Sequence, residues 1–301
     1  MIAPARFAAV ELGGTKAIAV LAQGDRIVDR RVIPTIAPGP TLARLRRQLD
    51  QWHADAPLAA LGIASFGPIQ LDPAHPDFGN ILATPKPGWA GAPVAVVLTR
   101  GIACPWRIDT DVNGAALAEY RWGAGAQCSS LCYVTIGTGL GGGVLLEGRP
   151  VLGAMHPEIG HLRLRRVADD PFAGACPFHG DCIEGLVSGP ALRARFGMDP
   201  TDAADTHPVW RHVAADIAEL CGAILLTTSA QRILFGGSVA LSRPFLLPWV
   251  RARVVEQLGA YLPFLDSGSA DRIIQPAALG AEAGPLGAIA LAQAALGPIT
   301  V

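Results

Sequence analysis

The hydrophobic positions along the chain form short apolar runs that alternate with longer amphipathic segments. Two of the apolar runs, residues 58–65 (LAALGIAS) and 231–235 (QRILF), end in glycine turns, which is typical of buried strands. Three longer segments have the spacing of apolar residues expected of helices: residues 41–53, 113–121 and 208–227. This alternation of strands and helices predicts an α/β architecture.

Residues 12–28 (LGGTKAIAVLAQGDRIV) and 136–152 (IGTGLGGGVLLEGRPVL) match each other at a constant offset of 124 positions. Each segment consists of an apolar strand, a glycine turn, a second apolar strand and a further turn, a pattern that predicts a β-hairpin. We interpret the match as two related α/β domains; the alternative is a chance match over few positions. The predicted domains are residues 1–115, completed by a C-terminal helix within residues 281–301, and residues 116–280.

The composition is that of a compact globular protein, because half of the 301 residues are hydrophobic and 16% are charged. Lys+Arg 24 against Asp+Glu 25 leaves a net charge of −1 without a basic block, which argues against nucleic acid as a partner. The N-terminus has no signal-peptide pattern, and the apolar stretch 285–299 is shorter than the about 20 residues that span a bilayer. We therefore expect a soluble, cytoplasmic protein that contacts no membrane.

Both predicted hairpins carry a glycine turn that can bind a phosphate group. Residues 13–16 (GGTK) place backbone N–H groups beside the Thr15 hydroxyl and the Lys16 ammonium, and residues 137–143 (GTGLGGG) offer similar backbone chemistry. The alternative at each position is a plain tight hairpin. The second turn also matches G-x-G-x-x-G, but it leads into the strand-like residues 144–146 rather than a helix, which argues against a dinucleotide site.

Two carboxylates, Asp109 and Asp111, lie between a predicted strand and a predicted helix in residues 107–114 (RIDTDVNG). A carboxylate beside a substrate hydroxyl can accept its proton while the oxygen attacks a phosphorus atom. We predict that Asp111 is this base. The alternative role for Asp109 or Asn113 is to cap the helix, and we expect this of at least one of the two.

The segment GACPFHGDCIEG, residues 174–185, has the spacing of a metal site. Its C-x-x-H-x-x-C pattern is formed by three residues: Cys176, His179 and Cys182. Zinc needs a fourth ligand, for which the residues alone leave His156 and His161 open. Four protein ligands leave no open position for water, so such a zinc would be structural. The alternative is a surface loop with free thiols.

Five motifs together resemble the ROK family of sugar kinases and, within it, the bacterial zinc-containing fructokinases. They are E-L-G-G-T-K (11–16), D-T-D-V-N-G-A-A (109–116), T-I-G-T-G-L-G-G-G (135–143), H-P-E-I-G-H (156–161) and C-P-F-H-G-D-C-I-E-G (176–185). The segment T-P-K-P-G-W (84–89) is also similar to the fructokinase branch. The resemblance covers essentially the whole chain.

The resemblance implies two actin-like ATPase (ribonuclease H-like) domains with a cleft between them, usually in a homodimer. It implies transfer of the γ-phosphoryl group of MgATP to the 6-hydroxyl of a hexose, with D-fructose as the expected acceptor. The metal ions that it implies are Mg²⁺ with the nucleotide and a structural Zn²⁺.

The residues of the predicted site follow from the motifs position by position. The resemblance implies Asp111 as the base and six sugar-binding residues: Thr110, Glu158, His161, Glu184 and, from the glycine turn after residues 58–65, the pair Gly67 and Pro68. The predicted nucleotide-binding residues are Gly13, Gly14, Thr15, Lys16, Thr138 and Gly139 at the phosphates, and Gly236 and Gly237 at the adenosine. The resemblance also favours His161 as the fourth zinc ligand beside Cys176, His179 and Cys182, and Glu11 as a water-mediated ligand of Mg²⁺.

Two positions depart from the pattern of many family members: Glu11 stands where they have Asp, and Thr110 where they have Asn. Both changes are usual in the fructokinase branch, and the missing Asn argues against a strict glucokinase. Mannose, or a broader range of hexoses, remains an alternative substrate.

Two further alternatives belong to other functional classes. A DNA-binding repressor of this family carries an N-terminal helix-turn-helix domain, and here the first predicted strand begins by about Phe7, which leaves no room for one. A non-catalytic sugar-binding regulator would not need Asp111 together with both glycine turns. We therefore expect a kinase.

Overall fold

The structure is a computed structural model that describes residues 4–297. By the density of their contacts, these residues form two units. Unit 1 consists of residues 4–126, 148–157 and 281–297, and unit 2 consists of residues 127–147 and 158–280. The predicted boundary between residues 115 and 116 falls within a helix of unit 1. Residues 1–3 and 298–301 of the predicted domains lie outside the described residues.

Unit 1 contains a five-stranded sheet. Its strands are β1 (Arg6–Leu12), β2 (Lys16–Gln23), β3 (Arg26–Pro34), β4 (Ala60–Ser65) and β5 (Trp106–Thr110), in the order β3-β2-β1-β4-β5. The first three strands pair antiparallel, whereas β4 runs parallel to both β1 and β5. Every residue of β4 is buried, as expected of a central parallel strand whose two faces are covered.

The described residues of unit 1 form four α-helices: α1 (Pro38–Asp55), α2 (Val94–Thr99), α3 (Asp111–Trp122) and α10 (Ala283–Ala294). The last helix lies very close to the sheet because glycines leave room for it. A Cβ on Gly62 of β4 would be 1.9 Å from the carbonyl oxygen of Ala288, and one on Gly287 would be 2.3 Å from the carbonyl carbon of Gly114. The C-terminal helix is thus part of the core of unit 1. A short strand, β8 (Arg149–Pro150), also lies in this unit.

Unit 2 repeats the plan of unit 1. Its strands are β6 (Ser130–Ile136), β7 (Leu140–Leu146), β9 (Arg232–Gly236) and β10 (Ile274–Pro276). The first two form an antiparallel hairpin, and β9 runs parallel to both β6 and β10. Because β6 lies 124 positions after β1 (Arg6–Leu12), the repeat seen in the sequence corresponds to the same hairpin in each unit.

Unit 2 also contains helices. They are α4 (Ile183–Val187), α5 (Gly189–Phe196), α6 (Val209–Thr228), α7 (Ser238–Ser242), α8 (Leu246–Leu258) and α9 (Ala270–Ile273), and a short 3₁₀ helix spans Ile159–His161. A buried charge cluster joins a loop to two of them, because Arg195 of α5 pairs with Asp170 at 2.5 Å and with Asp216 of α6 at 2.8 Å. All three side chains are at most 3% exposed. The cluster holds the loop that precedes the cysteine-containing segment against α5 and α6.

Within residues 4–297, no helix combines the length and the apolar character that crossing a bilayer requires.

Candidate active site

In unit 1 the predicted site residues lie at the edge of the sheet where three parallel strands end. Leu12 of β1 pairs with Ser65 of β4, and Ser65 pairs with Thr110 of β5, so the turns that follow these strands begin at the same level. This edge carries most of the predicted residues of unit 1: Gly13, Gly14, Thr15, Lys16, Gly67, Pro68, Thr110 and Asp111. Ligands commonly bind at the carboxyl edge of such sheets.

Asp111 is the first residue of α3, and one of its carboxylate oxygens accepts a backbone hydrogen bond. Its Oδ1 accepts a hydrogen bond from the N–H of Val112 at 2.9 Å. Burial raises the pKa of Asp111 to about 6, and the hydrogen bond from Val112 opposes this rise. A carboxylate with such a pKa is ionised near neutral pH and is more basic than an ordinary aspartate. Asp111 therefore has the electrostatic properties that a general base needs.

Asp109, the other carboxylate of this motif, is engaged in hydrogen bonds within the protein. It is 6% exposed, and its Oδ1 accepts hydrogen bonds from Asn113 Nδ2 at 2.7 Å and from the Thr110 N–H at 2.8 Å. The helix cap is Thr110, whose hydroxyl oxygen accepts the N–H of Asn113 at 3.1 Å. The expectation that Asp109 or Asn113 caps α3 is therefore wrong, because the helix begins earlier, at Asp111, with Thr110 as its capping side chain.

Glu11, near the end of β1, has a buried carboxylate with an unmatched oxygen. Among residues 4–297, its Oε2 accepts no hydrogen bond. Burial raises the pKa of Glu11 to about 7; the charge of Asp111 adds to the rise, whereas Lys16 and Arg30 oppose it. Gly284 leaves space for the side chain, since a Cβ there would be 2.2 Å from the Glu11 Cδ. A buried, unpartnered carboxylate oxygen in the field of a second carboxylate fits a hard cation such as Mg²⁺.

The glycine turn of unit 1 presents free backbone donors. The N–H of Gly13 closes the turn on the carbonyl of Lys16 at 3.1 Å. In the described part of the chain, the N–H groups of Gly14 and Thr15 have no hydrogen-bond acceptor. Successive free N–H groups next to a lysine ammonium form a site that can bind a phosphate.

The glycine turn of unit 2 has the same construction. The N–H of Gly137 donates to the carbonyl of Gly139 at 2.9 Å, and within residues 4–297 the N–H groups of Thr138 and Gly139 have no acceptor. The next N–H, that of Leu140, donates to Oε2 of Glu184 at 3.0 Å. A Cβ at position 139 would be 2.7 Å from the same oxygen. The predicted sugar ligand Glu184 therefore contacts the predicted phosphate turn.

A second glycine turn of unit 2 follows β9. Because Thr135 of β6 pairs with Gly236, the turn lies at the same sheet edge as the one that begins at Gly137. Gly237 has a φ of +84°, and a Cβ on it would be 2.4 Å from the carbonyl oxygen of Ile136. Only glycine fits this position. A mainly apolar cavity that includes Phe235 and Val239 among its lining residues adjoins the turn.

The structure brings together four potential metal ligands, whose donor atoms all lie within 4.8 Å of one another: His161, Cys176, His179 and Cys182. His161 Nδ1 lies 3.6 Å from Cys182 Sγ and 3.9 Å from Cys176 Sγ. Cys176 Sγ lies 3.8 Å from His179 Nδ1. A tetrahedral zinc site with Zn–S of about 2.3 Å and Zn–N of about 2.0–2.1 Å has ligand-to-ligand edges of about 3.3–3.8 Å. These four side chains therefore fit zinc, and we call them the clip.

His156, the other histidine that the sequence left open as a ligand, is engaged elsewhere. Its Nε2 accepts a hydrogen bond from the N–H of Ile69 at 3.2 Å. Burial lowers the pKa of His156, which favours the neutral ring that this hydrogen bond requires. Within the described residues, His161 is the histidine that completes the group of donor atoms with His179 and the two thiols.

The backbone around the clip is a tight loop. Cys176 and Gly180 exchange two N–H···O hydrogen bonds of 3.0 Å each. A Cβ on Gly185 would be 2.1 Å from the carbonyl oxygen of Gly180, so the following helix starts in direct contact with the loop. Burial raises the pKa of the Cys182 thiol to about 11, and a bound zinc would reverse this because it binds the thiolate. The loop delivers Glu184 to α4 only two residues after Cys182.

Two side chains without a predicted role also lie against the first glycine turn. Lys86 Nζ donates to the carbonyl oxygen of Gly14 at 2.5 Å, and the hydroxyl of Thr35 donates to that of Gly13 at 2.8 Å. Motif spacing does not reveal such contacts, because Lys86 is 72 positions away from Gly14. The composition does set Lys86 apart, since Lys16 and Lys86 are the only lysines among the 24 basic residues of the chain.

Comparison with known proteins identifies the family. The model of the ROK family matches residues 7–295. A fructokinase from Zymomonas mobilis is 40% identical over 299 residues, covering 96% of this chain and 97% of the relative. A fructokinase from Pediococcus pentosaceus is 37% identical over 291 residues, covering 96% of this chain and 98% of the relative.

Solved structures share the fold. A ROK hexokinase from Thermus thermophilus superposes with a TM-score of 0.76 at 26% identity, covering 97% of this chain and 99% of that one. A ROK family glucokinase from Streptomyces griseus, solved in complex with glucose and AMPPNP, gives a TM-score of 0.73 at 23% identity, covering 96% and 99%. The predicted fold class of two actin-like α/β domains is confirmed by these structures. Because the family match and both fructokinases cover nearly its whole length, the chain belongs to the ROK family.

Proposed function

We propose that the protein is a fructokinase that transfers the γ-phosphoryl group of ATP to the 6-hydroxyl of D-fructose. The observation that carries this proposal is its 40% identity to a fructokinase over nearly the full length of both chains. The local geometry supports it, because a carboxylate suited to act as a base and two glycine turns with free N–H groups are all present. The ROK family glucokinase that binds AMPPNP supports ATP as the phosphoryl donor.

Asp111 is the proposed base. Its carboxylate accepts the proton of the sugar 6-hydroxyl as that oxygen attacks the γ-phosphorus, while the bond from the γ-phosphorus to the bridging oxygen of ADP breaks. The hydrogen bond from Val112 to Oδ1 orients the carboxylate and leaves Oδ2 for the hydroxyl. Phosphoryl transfer needs little covalent help from the protein, so positioning and electrostatic stabilisation make up most of the catalysis.

The two glycine turns bind the polyphosphate in this proposal. Free N–H groups of Gly14 and Thr15 in unit 1, and of Thr138 and Gly139 in unit 2, donate to phosphate oxygens, and Lys16 adds a positive charge. Glu11 would hold Mg²⁺ through water, and the bound ion would neutralise charge on the phosphoryl oxygens. Gly236 and Gly237 lie against the adenosine, where the absence of side chains lets the ligand approach the backbone.

The sugar is bound by Glu158, His161 and Glu184, with Gly67, Pro68 and Thr110 as further contacts. Zinc would be held by Nδ1 of His161, Nδ1 of His179 and the thiolates of Cys176 and Cys182, a closed set of four ligands that gives the ion a structural role. His161 then has Nε2 for a sugar hydroxyl, and Glu184 has Oε1. Metal binding at the clip thus orients two sugar ligands.

The cellular setting is also part of the proposal. All six cysteines are free thiols, as is usual for a protein of a reducing compartment, and two of them belong to the clip. We place the enzyme in the cytoplasm, where ATP and fructose are available, and propose that it works as a homodimer, as the family resemblance implies.

The choice of sugar is tested by a panel of fructose, mannose, glucose and N-acetylmannosamine in a coupled assay of ADP release. We expect kcat/KM for fructose to exceed that for glucose by about 10-fold or more, because Thr110 stands where the family resemblance implies an Asn that binds glucose, and one hydrogen bond to glucose would be lost. Equal values for mannose and fructose would make the enzyme a manno(fructo)kinase. Absence of turnover with every sugar, in folded and zinc-loaded protein, would reject the proposal.

The pH dependence of kcat/KM tests the assignment of the base. Because burial raises the pKa of Asp111 to about 6, the carboxylate is ionised above that pH and protonated below it. Activity should therefore rise with pH up to about 6 and then level off, with about a tenfold loss for each pH unit below the pKa. The assay needs saturating Mg²⁺, since a cation beside Glu11 favours its ionised form. A profile that stays flat down to pH 5 would contradict this assignment.

A further inference from the structure

The two lysines of the chain meet at one turn. All other members of its 24 basic residues are arginines, yet Lys16 ends the glycine turn of unit 1 and Lys86 reaches the same turn from the segment T-P-K-P-G-W. An ammonium is a compact charge with three donors in tetrahedral directions, whereas a guanidinium is a larger planar fork. At this position the Lys86 ammonium contacts two carbonyl oxygens, those of Gly14 and Thr35.

Three successive carbonyl groups of the turn, those of Gly13, Gly14 and Thr15, accept hydrogen bonds from Lys86 or Thr35. Lys86 Nζ donates to the carbonyl of Gly14 at 2.5 Å and to that of Thr35 at 3.3 Å. Thr35 donates its hydroxyl to the carbonyl of Gly13 at 2.8 Å and its N–H to that of Thr15 at 3.0 Å. Lys86 and Thr35 together thus fix the orientation of the peptide planes in the turn.

The orientation of these peptide planes decides where the free N–H groups point. In a trans peptide the carbonyl and the N–H of the same plane point in opposite directions. The carbonyls of Gly13 and Gly14 share their planes with the N–H groups of Gly14 and Thr15. Holding the two carbonyls toward Thr35 and Lys86 therefore directs the two free N–H groups to the opposite side, where a phosphate can bind them.

The loop that carries Lys86 is itself firmly held. Pro85 and Pro87 flank the lysine and restrict its backbone. Trp89 is fully buried, donates its Nε1–H to the carbonyl of Ile36 at 2.7 Å and packs edge-on against Phe66, with ring centroids 5.2 Å apart. The ammonium is thus presented from a stiff loop, as a positioning group requires.

We propose that Lys86 is a positioning residue of the nucleotide site, which holds the first glycine turn so that the N–H groups of Gly14 and Thr15 face the polyphosphate. The proposal rests on the proposed function, which assigns these N–H groups to ATP. It adds a role for T-P-K-P-G-W, a motif that has no part in the base, the clip or the sugar ligands. It also predicts that the loss of Lys86 affects the nucleotide far more than the sugar.

The experiment compares Lys86→Met and Lys86→Arg with the wild-type enzyme. Lys86→Met removes the charge and all donors at nearly constant volume, and we expect KM for MgATP to rise about 10-fold, the effect of losing a hydrogen bond to a charged group. KM for fructose should stay within about 2-fold, since the sugar ligands are untouched. Lys86→Arg keeps the charge and should recover part of the MgATP affinity. Arg44→Met, at an exposed position of α1, is the matched control for loss of one positive charge and should resemble the wild type.

Amide hydrogen exchange provides a readout that does not depend on turnover. The N–H groups of Gly13 and Thr35 donate within the turn, so their exchange should be faster in Lys86→Met and unchanged in Arg44→Met. Wild-type KM for MgATP together with unchanged exchange at these two amides would overturn the proposal. If the wild-type enzyme neither binds ATP nor phosphorylates a sugar, the proposed function fails, while the exchange of these amides still decides whether Lys86 holds the turn.

Discussion

Replacement of Asp111 by Asn is expected to lower kcat for fructose by about 10²- to 10⁴-fold, the range found when a general base is removed. The amide has the same shape, and its oxygen can still accept the hydrogen bond that Val112 donates to Oδ1 of the aspartate. It cannot accept the proton of the attacking hydroxyl. Fructose affinity, measured by calorimetry, should therefore remain within about 3-fold of the wild-type value, because only the proton transfer is lost.

Asp109→Asn is the matched control for this variant. The two carboxylates lie in the same motif, but that of Asp109 is buried and accepts hydrogen bonds from Asn113 and Thr110. The amide oxygen of an asparagine can accept the same two bonds, so kcat should change by less than about 10-fold. Near-normal turnover of Asp111→Asn, or an equal loss in both variants, would show that Asp111 is not the base.

Loss of the clip metal is expected to have the second large effect. Cys182→Ser removes a ligand that is fully buried, and we expect the variant to lose zinc and its melting temperature to fall by about 5–15 °C. KM for fructose should rise by about 10-fold or more. Mutation of residues that orient the ligands of a metal commonly lowers metal affinity or activity by about 10- to 100-fold. The physical reason is local, because Glu184 follows Cys182 by two residues and His161 lies within 3.6 Å of its sulfur.

Elemental analysis and thermal melting check this prediction, with Cys104→Ser as the control. Cys104 is a half-buried thiol outside the clip, so its variant should keep one zinc per chain and wild-type KM values. A stable and fully active wild-type enzyme that contains no zinc would contradict the role of the clip. Retention of zinc by Cys182→Ser would contradict the ligand assignment.

The regular elements of the fold could be predicted from hydrophobic spacing. The segments 41–53, 113–121 and 208–227 correspond to α1, α3 and α6, each of which the structure extends or shifts by a few residues. The sequence also predicts the repeated hairpin, because an apolar run, a glycine turn and a second apolar run recur at one offset. These features are local in sequence, and local spacing is what a periodic pattern records.

Long-range contacts could not be predicted in this way. The close packing of α10 on β4 depends on Gly62 and Gly287, whose missing side chains matter only once the helix is in place. The prediction that Asp109 or Asn113 caps α3 is wrong because Thr110, Asp109 and Asn113 are all suitable capping side chains, and only the backbone geometry selects Thr110. Neither feature leaves a periodic signature in the sequence.

In the candidate site, too, local features could be predicted from the sequence, whereas long-range contacts could not. Motifs predict the glycine turns as phosphate sites and Asp111 as the base, and the spacing of the cysteines predicts three ligands of the clip. The hydrogen bond from Leu140 to Glu184 and the contact of Lys86 with Gly14 join residues 44 and 72 positions apart. Such contacts depend on how strands and loops meet at the edge of a sheet, which spacing within a motif does not encode.

Identification of the product formed from MgATP and D-fructose tests the central claim most directly. Phosphorus NMR of the reaction mixture distinguishes fructose 6-phosphate from other phosphate esters and from inorganic phosphate. We expect the wild-type enzyme to form fructose 6-phosphate and ADP in equal amounts. ADP accompanied only by inorganic phosphate, or a phosphate ester at another hydroxyl, would contradict the account.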